Sequence, residues 1–399
     1  MAAPHTLMTP SSRSDANARV FADPLLLVAV LALVSLGLVM VYSASAIMAQ
    51  EKLGDSFHFF KRQLVGAGLG FVAMAVAMKL GYRRMARLAY PLLILCLLTL
   101  VLVLVPHVGT VVGGARRWIR LPGFSLQPAE FAKFSWVVYL AYSLAKKREK
   151  VATFSVGFLP HLMMAGLLVV LCMAQPDFGS SVCLLFLLFV MLFAAGTKVS
   201  YLVGSFLVAL PIGYHAVASS PYRLKRILAF MDPWAHRHDI GYQVAQSLMS
   251  VGSGGFFGLG LGESRQKLFF LPEAHTDFIF SIIGEELGLL GVGLTVFLYG
   301  VILWRGFRAA LNASEPFGTY LGLGLTSLIG FQAVVNMSVA MGLAPTKGLT
   351  LPFVSYGSSS LGMMMAASGL LLSLSASSSQ RVKSPVRRRS SVAMHEATA

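Results

Sequence analysis

The stretch LPEAHTDFIFSIIGEELG, residues 271–288, passes from a polar segment directly into an apolar one. Its polar half carries His275 and Asp277, and its apolar half carries Glu285 and Glu286. A charged side chain inside a bilayer is costly, so acids retained there usually serve a function. The stretch therefore predicts an acidic site at the mouth of a membrane helix.

The composition places the whole chain in the membrane class. Of its 399 residues, 56% are hydrophobic and 12% are charged, whereas soluble domains carry roughly 25% charged residues. The net charge of +16 comes from basic residues in short groups between apolar runs, which argues against nucleic acid as a partner. Cys96, Cys172 and Cys183 lie within apolar runs without metal-ligand spacing, so neither a disulfide framework nor a zinc site is indicated.

Apolar runs of about 20 residues recur along the chain and predict an all-α polytopic membrane protein with about ten transmembrane helices. The first run is too long for the apolar part of a signal peptide, so we expect it to remain as a span. The runs lie at residues 24–48, 63–79, 88–106, 128–145, 156–174, 178–196, 199–218, 278–304, 318–342 and 352–375.

Lys and Arg are concentrated in alternate connections, and this asymmetry orients the chain by the positive-inside rule. Both termini are expected in the cytoplasm. Residues 1–22 would form a flexible tail, and residues 377–399 a basic tail that could contact anionic lipid. The ten-span domain would cover residues 23–376, with one long extracytoplasmic loop at residues 219–277.

The predicted outer segment GGARRWIRLPGFSLQPAEFAK, residues 113–133, is unusually basic for its side of the membrane. Arg117 and Lys133 are candidates for an anion site. The segment could equally be interfacial, with Trp118 as an aromatic anchor among snorkelling basic side chains. Glu130 is either a favourable acid in a first helical turn or the ion-pair partner of Lys133, three residues later.

The glycine-rich run GSGGFFGLGLGESRQK, residues 252–267, lies in the long loop. No predicted strand precedes it, and aromatic and aliphatic residues alternate with its glycines, so a phosphate-binding loop is not favoured. Irregular backbone at membrane depth is tolerated where it lines a polar cavity. The run therefore predicts an irregular re-entrant or interfacial segment.

Six ordered motifs are found between residues 232 and 357. They are DP at 232–233, GYQVAQS at 241–247, GLGLGESRQK at 258–267, LPEAHTDFIF at 271–280, EELG at 285–288 and PTKGLTLPFVSYG at 345–357. In this order they resemble the SEDS family of bacterial shape, elongation, division and sporulation proteins, over residues 24–376. PTKGLTLP resembles the division type, with the elongation type as the alternative. Ser358 stands where the family usually has glycine.

The resemblance implies a fold related to the GT-C glycosyltransferases and polymerisation of lipid II into β-1,4-linked glycan on the outer face of the inner membrane, at the division septum. It also implies a class B penicillin-binding protein as transpeptidase partner, together with other division membrane proteins. The acceptor 4-hydroxyl would attack C1 of the donor sugar with inversion and loss of the lipid pyrophosphate. This chemistry needs a base, positive charge for the pyrophosphate and a site open to lipid.

Asp277 matches the family's HTDF motif and is expected to be the general base, although a residue at the start of a span could instead cap the helix. On a continuous helix Glu285 lies about 80° around from Asp277, and Glu286 about 180°. We therefore expect Glu285 in a shared polar cavity and Glu286 against a neighbouring helix. The candidates for binding the substrate or its pyrophosphate are Arg117, Lys133, Arg223, Lys267, Glu285, Asp177 and Lys347.

No cofactor is certain from the sequence. A divalent cation, Mg²⁺ or Mn²⁺, could bridge the pyrophosphate and Asp277, since such leaving groups are often stabilised by metal ions. His275 is a weaker candidate metal ligand than a polar interface residue.

A lipid II transporter with the same fold is an alternative function, in which Glu285 and Glu286 would serve conformational gating. A non-enzymatic scaffold for division partners is another, but it would not account for Asp277. The polar chemistry is clustered on one side of the membrane, and the two halves of the chain show no inverted repeat of broken helices. Both features favour the enzyme.

Overall fold

The protein is an almost wholly helical bundle, which confirms the predicted fold class. The computed structural model describes residues 23–383 apart from Gly113, Pro122, Gly123, Ser220, Ile240, Phe269 and Lys347. The predicted tail 1–22 and most of the predicted tail 377–399 lie outside the described residues. The helices are α1 (Pro24–Leu53), α2 (His58–Met85), α3 (Ala89–Leu102), α4 (Pro128–Lys146), α5 (Leu159–Ala174), α6 (Phe178–Ala194), α7 (Val199–Ala218), α8 (Pro221–Met231), α9 (Tyr242–Ser253), α10 (Ile279–Leu311), α11 (Pro316–Ala340) and α12 (Ser358–Lys383).

A small antiparallel sheet between α3 and α4 was not predicted. Its strands, in order, are β1 (Gly109–Val112), β2 (Ala115–Leu121) and β3 (Phe124–Leu126). Among the described side chains of β2, only Ala115 and Ile119 are buried. A strand is recognised in a sequence by its alternation of apolar and polar residues. Two buried positions are too few for that pattern to stand out in a basic segment.

A helix occupies the position of every predicted span. Within the described residues, six helical stretches are long and apolar enough to cross a membrane, and two others, Phe178–Ala194 and Val199–His215, are apolar but shorter. The number of helices that cross, and the side on which each end lies, remain predictions. The six stretches are residues 24–53, 58–102, 154–174, 279–311, 316–340 and 358–377.

Helix α4 lies at the centre of the bundle, packed against α3, α6 and α11. Its side chains are buried along nearly the whole length from Pro128 to Leu144. Trp136 is fully buried, and its Nε1 donates to the Leu184 carbonyl at 3.2 Å. Because α4 faces protein rather than lipid, it can carry charged residues that a lipid-facing helix would exclude.

Helix α12 packs along α2 and begins at Ser358, later than the predicted start at residue 352. Residues 352–357 instead form turns between α11 and α12. A Cβ atom on Gly66 of α2 would lie 2.9 Å from Ser358 Oγ. The serine at the usual glycine position is therefore accommodated by a glycine on the facing helix.

Ion pairs join several helix ends at one end of the bundle. Asp23, which caps the start of α1 by accepting from Leu25 N at 3.1 Å, pairs with Arg305 near the end of α10 at 2.5 Å. Arg83, near the end of α2, pairs with Glu315 before α11 at 2.8 Å. The starts of α1 and α11 and the ends of α2 and α10 therefore lie at the same end of the bundle. In the predicted topology this end is the cytoplasmic one, and its orientation stays a prediction.

The orientation can be tested by cysteine labelling in intact cells. Single cysteines at positions 15 and 148 should be protected from a membrane-impermeant thiol reagent, and one at position 239 should react, because the positive-inside rule places only the last outside. The natural Cys96, Cys172 and Cys183 are buried, so the unmodified protein should give a low background. Labelling of position 148 from outside would contradict the ten-span orientation.

Candidate active site

Asp277 lies in the turns directly before α10. The capping position of that helix is Phe278, and no side chain caps it, so Asp277 does not serve as a cap. Its backbone is fixed from α11 instead, because Asn336 Nδ2 donates to the Asp277 carbonyl at 2.8 Å and to the Leu349 carbonyl at 2.7 Å. Asp277 is thus held at the mouth of α10 while its carboxylate is not needed to start the helix.

The segment before Asp277 is also held by the turns that precede α12. Tyr356 N donates to the His275 carbonyl at 3.0 Å, and Ser355 Oγ donates to the Thr276 carbonyl at 2.6 Å. Gln63 on α2 donates to the Ser355 carbonyl at 3.2 Å. Three parts of the chain that are far apart in sequence therefore fix the position of Asp277.

His275 is an aromatic packing residue in this arrangement. Its ring centroid lies 4.8 Å from that of Phe59 and 5.6 Å from that of Tyr356. Burial lowers its pKa, so the imidazole is neutral at pH 7. The described residues contain no group of three or more His, Cys, Asp or Glu that could hold a metal ion. A cation bound here would depend on substrate oxygens in addition to Asp277.

Four charged side chains act on the partly buried carboxylate of Asp277. Burial raises its pKa to about 7, and Glu273 adds to this rise. Arg226 and Arg117 oppose the rise, while Asp177 contributes a smaller increase. The structure therefore brings Arg117 and Asp177, two of the predicted site residues, into electrostatic range of Asp277.

Arg117 reaches the site from β2. Its Nε donates to the Gln175 carbonyl at 2.9 Å, and its Nη2 donates to the Pro176 carbonyl. Asp177, the next residue, caps α6 by accepting from Ser180 N at 3.0 Å and from Ser180 Oγ at 2.8 Å. Arg117 thus ties the sheet to the turn between α5 and α6, and Asp177 has a capping role that the sequence left unassigned.

Lys133 is fully buried on α4 and forms an ion pair with Glu130 at 2.6 Å. Of the two interpretations of Glu130, this supports the ion pair. The ammonium of Lys133 is buried among the helices, and its predicted role as a ligand of the pyrophosphate stays a prediction. Lys133 can still act on the site through Asp177, which lies within its electrostatic range.

Glu286 and Lys267 form a second buried ion pair, at 3.0 Å. Ser43 on α1 donates to both carboxylate oxygens of Glu286, at 2.6 and 2.7 Å. Glu286 therefore contacts a neighbouring helix, as predicted. Lys267 also donates to the Gly262 carbonyl at 2.5 Å, so its ammonium has partners within the protein, and its predicted role toward the pyrophosphate stays a prediction.

Glu285 holds the long loop onto α10. Its carboxylate accepts from Ser250 Oγ at 2.8 Å, from Ser264 Oγ at 2.6 Å and from Arg265 N at 2.9 Å. The expectation that it shares a polar cavity with Asp277 assumed one continuous helix through both residues. Because α10 begins only at Ile279, that angular relation does not hold.

The glycine-rich run meets α10 where that helix is broken. Gly288 lies inside α10 with φ 64° and ψ −159°, a backbone conformation that L side chains rarely adopt. Beside the break, Leu259 N donates to the Glu285 carbonyl at 2.9 Å and Gly260 N donates to the Glu286 carbonyl at 3.0 Å. The predicted irregular segment thus satisfies backbone groups that the broken helix leaves free.

Two predicted site residues cannot be placed fully. The side chain of Arg223, on α8, and the whole of Lys347 lie outside the described part of the chain. The neighbour of Lys347 is described, and a Cβ atom on Gly348 would lie 3.4 Å from Asp277 Oδ2. Gly348 therefore borders the carboxylate.

Arg226 and Asn336 were missed by the sequence analysis. Arg226 Nη1 donates to the Thr346 carbonyl at 3.1 Å, which joins α8 to the segment beside Asp277. Arg226 follows Arg223 by three residues, a spacing that places both on one face of a helix. This spacing could have suggested Arg226 as a further candidate site residue. Asn336 carries no comparable signal, since a single amide in an apolar helix does not indicate its partner.

Chemically, the site combines a proton acceptor with positive charge at the end of an apolar bundle. A carboxylate with a pKa of about 7 changes its protonation state near neutral pH, as a general base requires. The guanidinium groups of Arg117 and Arg226 can stabilise negative charge on a leaving group. The arrangement suits transfer of a group from an anionic carrier embedded in the membrane.

Comparison with known proteins agrees with this chemistry. The profile of a family described as "Cell cycle protein", and named for FtsW, RodA and SpoVE, matches residues 24–380. A probable peptidoglycan glycosyltransferase FtsW of Geobacter sulfurreducens is 49% identical over 353 residues, covering 88% of this chain and 95% of that protein. Stage V sporulation protein E of Bacillus subtilis is 44% identical over 355 residues, covering 88% of this chain and 96% of that protein.

Two solved structures are similar over almost their whole length. One comes from work on how a peptidoglycan synthase complex coordinates polymerization and crosslinking. It matches with a TM-score of 0.74 and 33% identity, over 90% of this chain and 98% of that one. The other is the rod shape determining protein RodA of Thermus thermophilus, with a TM-score of 0.65 and 32% identity, over 89% of this chain and 96% of that one.

Proposed function

Because the chain belongs to the family of FtsW, RodA and SpoVE, we propose that it is a peptidoglycan glycosyltransferase that polymerises lipid II, with Asp277 as general base. The family, the helical membrane fold and the enzyme class predicted from the sequence are confirmed by the relatives. The observation that carries the residue assignment is the carboxylate of Asp277, whose pKa is raised by burial and which lies within electrostatic range of Arg226 and Arg117.

In the proposed reaction Asp277 accepts the proton of the acceptor 4-hydroxyl as that oxygen attacks C1 of the donor sugar. The bond from C1 to the pyrophosphate oxygen breaks, the configuration at C1 inverts, and the lipid pyrophosphate leaves as an anion. Arg226 and Arg117 stabilise the negative charge that develops on it. Asn336 acts as a positioning residue, because it holds the backbone of Asp277 from α11.

The partner and the location follow from the same assignment. The division-type segment PTKGLTLP favours work at the division septum, and a class B penicillin-binding protein would crosslink the glycan that this chain makes. Other division membrane proteins would join them. The cytoplasmic termini and the outward-facing site belong to this proposal as well.

The transporter alternative depended on Glu285 and Glu286 as gating groups, and the structure does not support that role. Glu285 is hydrogen bonded to the long loop, and Glu286 is paired with Lys267 and Ser43. Each carboxylate therefore has a structural partner, whereas gating would call for a group that changes partners. No described contact favours transport over the enzyme.

The proposed function is tested by lipid II polymerisation with the purified protein, alone and with its penicillin-binding partner. We expect glycan polymer that a muramidase digests, with more product when the partner is present. Transport of fluorescent lipid II across liposomes without polymer formation in either condition would instead support the transporter.

Arg117→Ala should weaken use of the lipid-pyrophosphate substrate. Loss of a charged hydrogen-bond donor costs roughly tenfold to a hundredfold in affinity, so KM should rise by about this factor while the protein still inserts. The matched control is Arg120→Ala, which removes an exposed charge from the same strand and should leave KM within about twofold. If the two changes have equal effects on KM, residues 113–133 are better explained as an interfacial anchor than as an anion site.

The rate should depend on pH through Asp277. With its pKa at about 7, the basic form falls from about 90% at pH 8 to about 10% at pH 6, so kcat/KM should drop nearly tenfold over this range. Arg226→Gln removes a positive charge that lowers this pKa, and the midpoint should therefore move to higher pH. Arg120→Gln is the control and should leave the midpoint unchanged. A flat profile would contradict the role of Asp277.

A further inference from the structure

An open-sided cavity with basic side chains at its edge lies at the end of the bundle opposite Asp277, between the ends of α2 and α12. Its volume is about 290 Å³. Three basic residues and three residues with hydroxyl groups line it, together with one aliphatic side chain and the glycine at the break in α2. They are Lys79, Arg83, Arg84, Tyr82, Ser373, Ser377, Leu80 and Gly81.

The cavity exists because α2 is interrupted. Gly81 has φ 72° and ψ 155°, so the helix stops there and resumes after it. A Cβ atom on Gly81 would lie 3.5 Å from Ser373 Oγ, so the break brings the backbone of α2 close to a hydroxyl of α12. Non-helical backbone near a bilayer surface is tolerated where it lines a polar space. This is the arrangement at Gly81.

The cavity carries a surplus of positive charge. Arg83 is paired with Glu315 at 2.8 Å and lies over the Tyr82 ring. Lys79 and Arg84 are exposed, and neither forms an ion pair with a described residue. Ser377 Oγ donates to the Leu374 carbonyl at 2.8 Å, so the donors offered to a ligand are mainly those of the basic side chains. Because Lys and Arg side chains each present several charged donors, the lining is matched to a phosphate ester.

An apolar stripe leads along α2 to this cavity. Val72 is 60% exposed and Val76, one turn further on, is 48% exposed. Both lie on the part of α2 that precedes Lys79 and Gly81. An acyl chain could lie against this stripe while its headgroup occupies the cavity. A free phosphate ion would make no use of the stripe.

We propose that the cavity between the ends of α2 and α12 binds the phosphate headgroup of an anionic phospholipid, with an acyl chain along Val72 and Val76. The site is separate from Asp277 and does not depend on the proposed reaction. Each basic side chain at such a surface raises the affinity for an anionic lipid roughly fivefold.

The test measures phosphatidylglycerol and phosphatidylcholine bound to the full-length protein in detergent, by native mass spectrometry over a lipid titration. We expect the wild type to retain phosphatidylglycerol in preference to phosphatidylcholine. Lys79→Ala/Arg84→Ala should bind phosphatidylglycerol roughly 30-fold more weakly. Arg148→Ala/Lys150→Ala is the matched control, because it removes two exposed charges from another predicted cytoplasmic connection and should have little effect.

A cavity-filling variant separates a defined site from diffuse attraction. Ser377→Phe keeps every charge but occupies the space, so it should also reduce binding of phosphatidylglycerol. The proposal is overturned if the control pair loses as much lipid as the cavity pair, or if Ser377→Phe binds like the wild type. It is also overturned if inorganic phosphate binds the wild type and is lost in the cavity pair while phosphatidylglycerol does not bind.

Discussion

Asp277→Asn should abolish glycan synthesis while leaving the protein folded and bound to its partner. The amide cannot take a proton from the acceptor hydroxyl, and loss of a general base costs roughly 10²–10⁴-fold in rate. The fold should survive because Asp277 does not cap α10 and because Asn336 holds its backbone carbonyl rather than its carboxylate. The measurement is polymer yield from lipid II, with thermal unfolding of the same samples.

Two further variants test whether the loss of glycan synthesis in Asp277→Asn comes from loss of a correctly placed base. Glu273→Gln removes a neighbouring carboxylate that raises the pKa of Asp277, so it should retain activity and move the pH midpoint lower. Asp277→Glu keeps the charge but displaces it by one methylene, and misplaced catalytic groups lose much of their effect. Polymer from Asp277→Asn at near the wild-type rate would remove Asp277 from the mechanism.

Most of the helical fold could be predicted from the sequence, since apolar runs of membrane length leave few alternatives to a helix. The small sheet could not, because burial of Ala115 and Ile119 depends on what the strand packs against. Nor could the break at Gly288. Gly288 in the run EELGLLG fits a continuous helix equally well, and it is the backbone hydrogen bonds with the glycine-rich run, including those of Leu259 and Gly260, that make the break stable.

The sequence singles out a candidate site residue where a local feature marks it, and not where its contacts depend on a distant part of the chain. Asp277 stands out because it is the last acid before an apolar run. The pairing of Glu286 with Lys267 and with Ser43 carries no local signal, because Ser43 is 243 residues away in the chain. Lys133 and Lys267 are predicted substrate ligands because they are basic residues in predicted outer segments. Their pairing with buried carboxylates carries no such signal and is seen only in the structure.

Lys267→Met should destabilise the protein by about 3–5 kcal/mol, because it leaves the carboxylate of Glu286 buried without its cation. The side chains of Lys267 and Glu286 are 5% and 0% exposed, so water cannot replace the lost partner. The matched control is Lys61→Met. Lys61 pairs with Asp55 at 2.9 Å, but the two side chains are 66% and 39% exposed. Exposed pairs add little to stability, so this variant should unfold at nearly the same temperature as the wild type.

The double variant Lys267→Met/Glu286→Gln decides between a structural and a substrate-binding role for Lys267. Removing both charges takes away the unpaired carboxylate, and replacing a buried pair in this way is often nearly neutral. We therefore expect the double variant to regain most of the thermal stability and most of the polymer yield that Lys267→Met loses. If Lys267 bound the pyrophosphate, stability would return but KM for lipid II would stay high. The two roles thus separate in one set of unfolding and kinetic measurements, because only a structural lysine becomes dispensable when its carboxylate is neutralised.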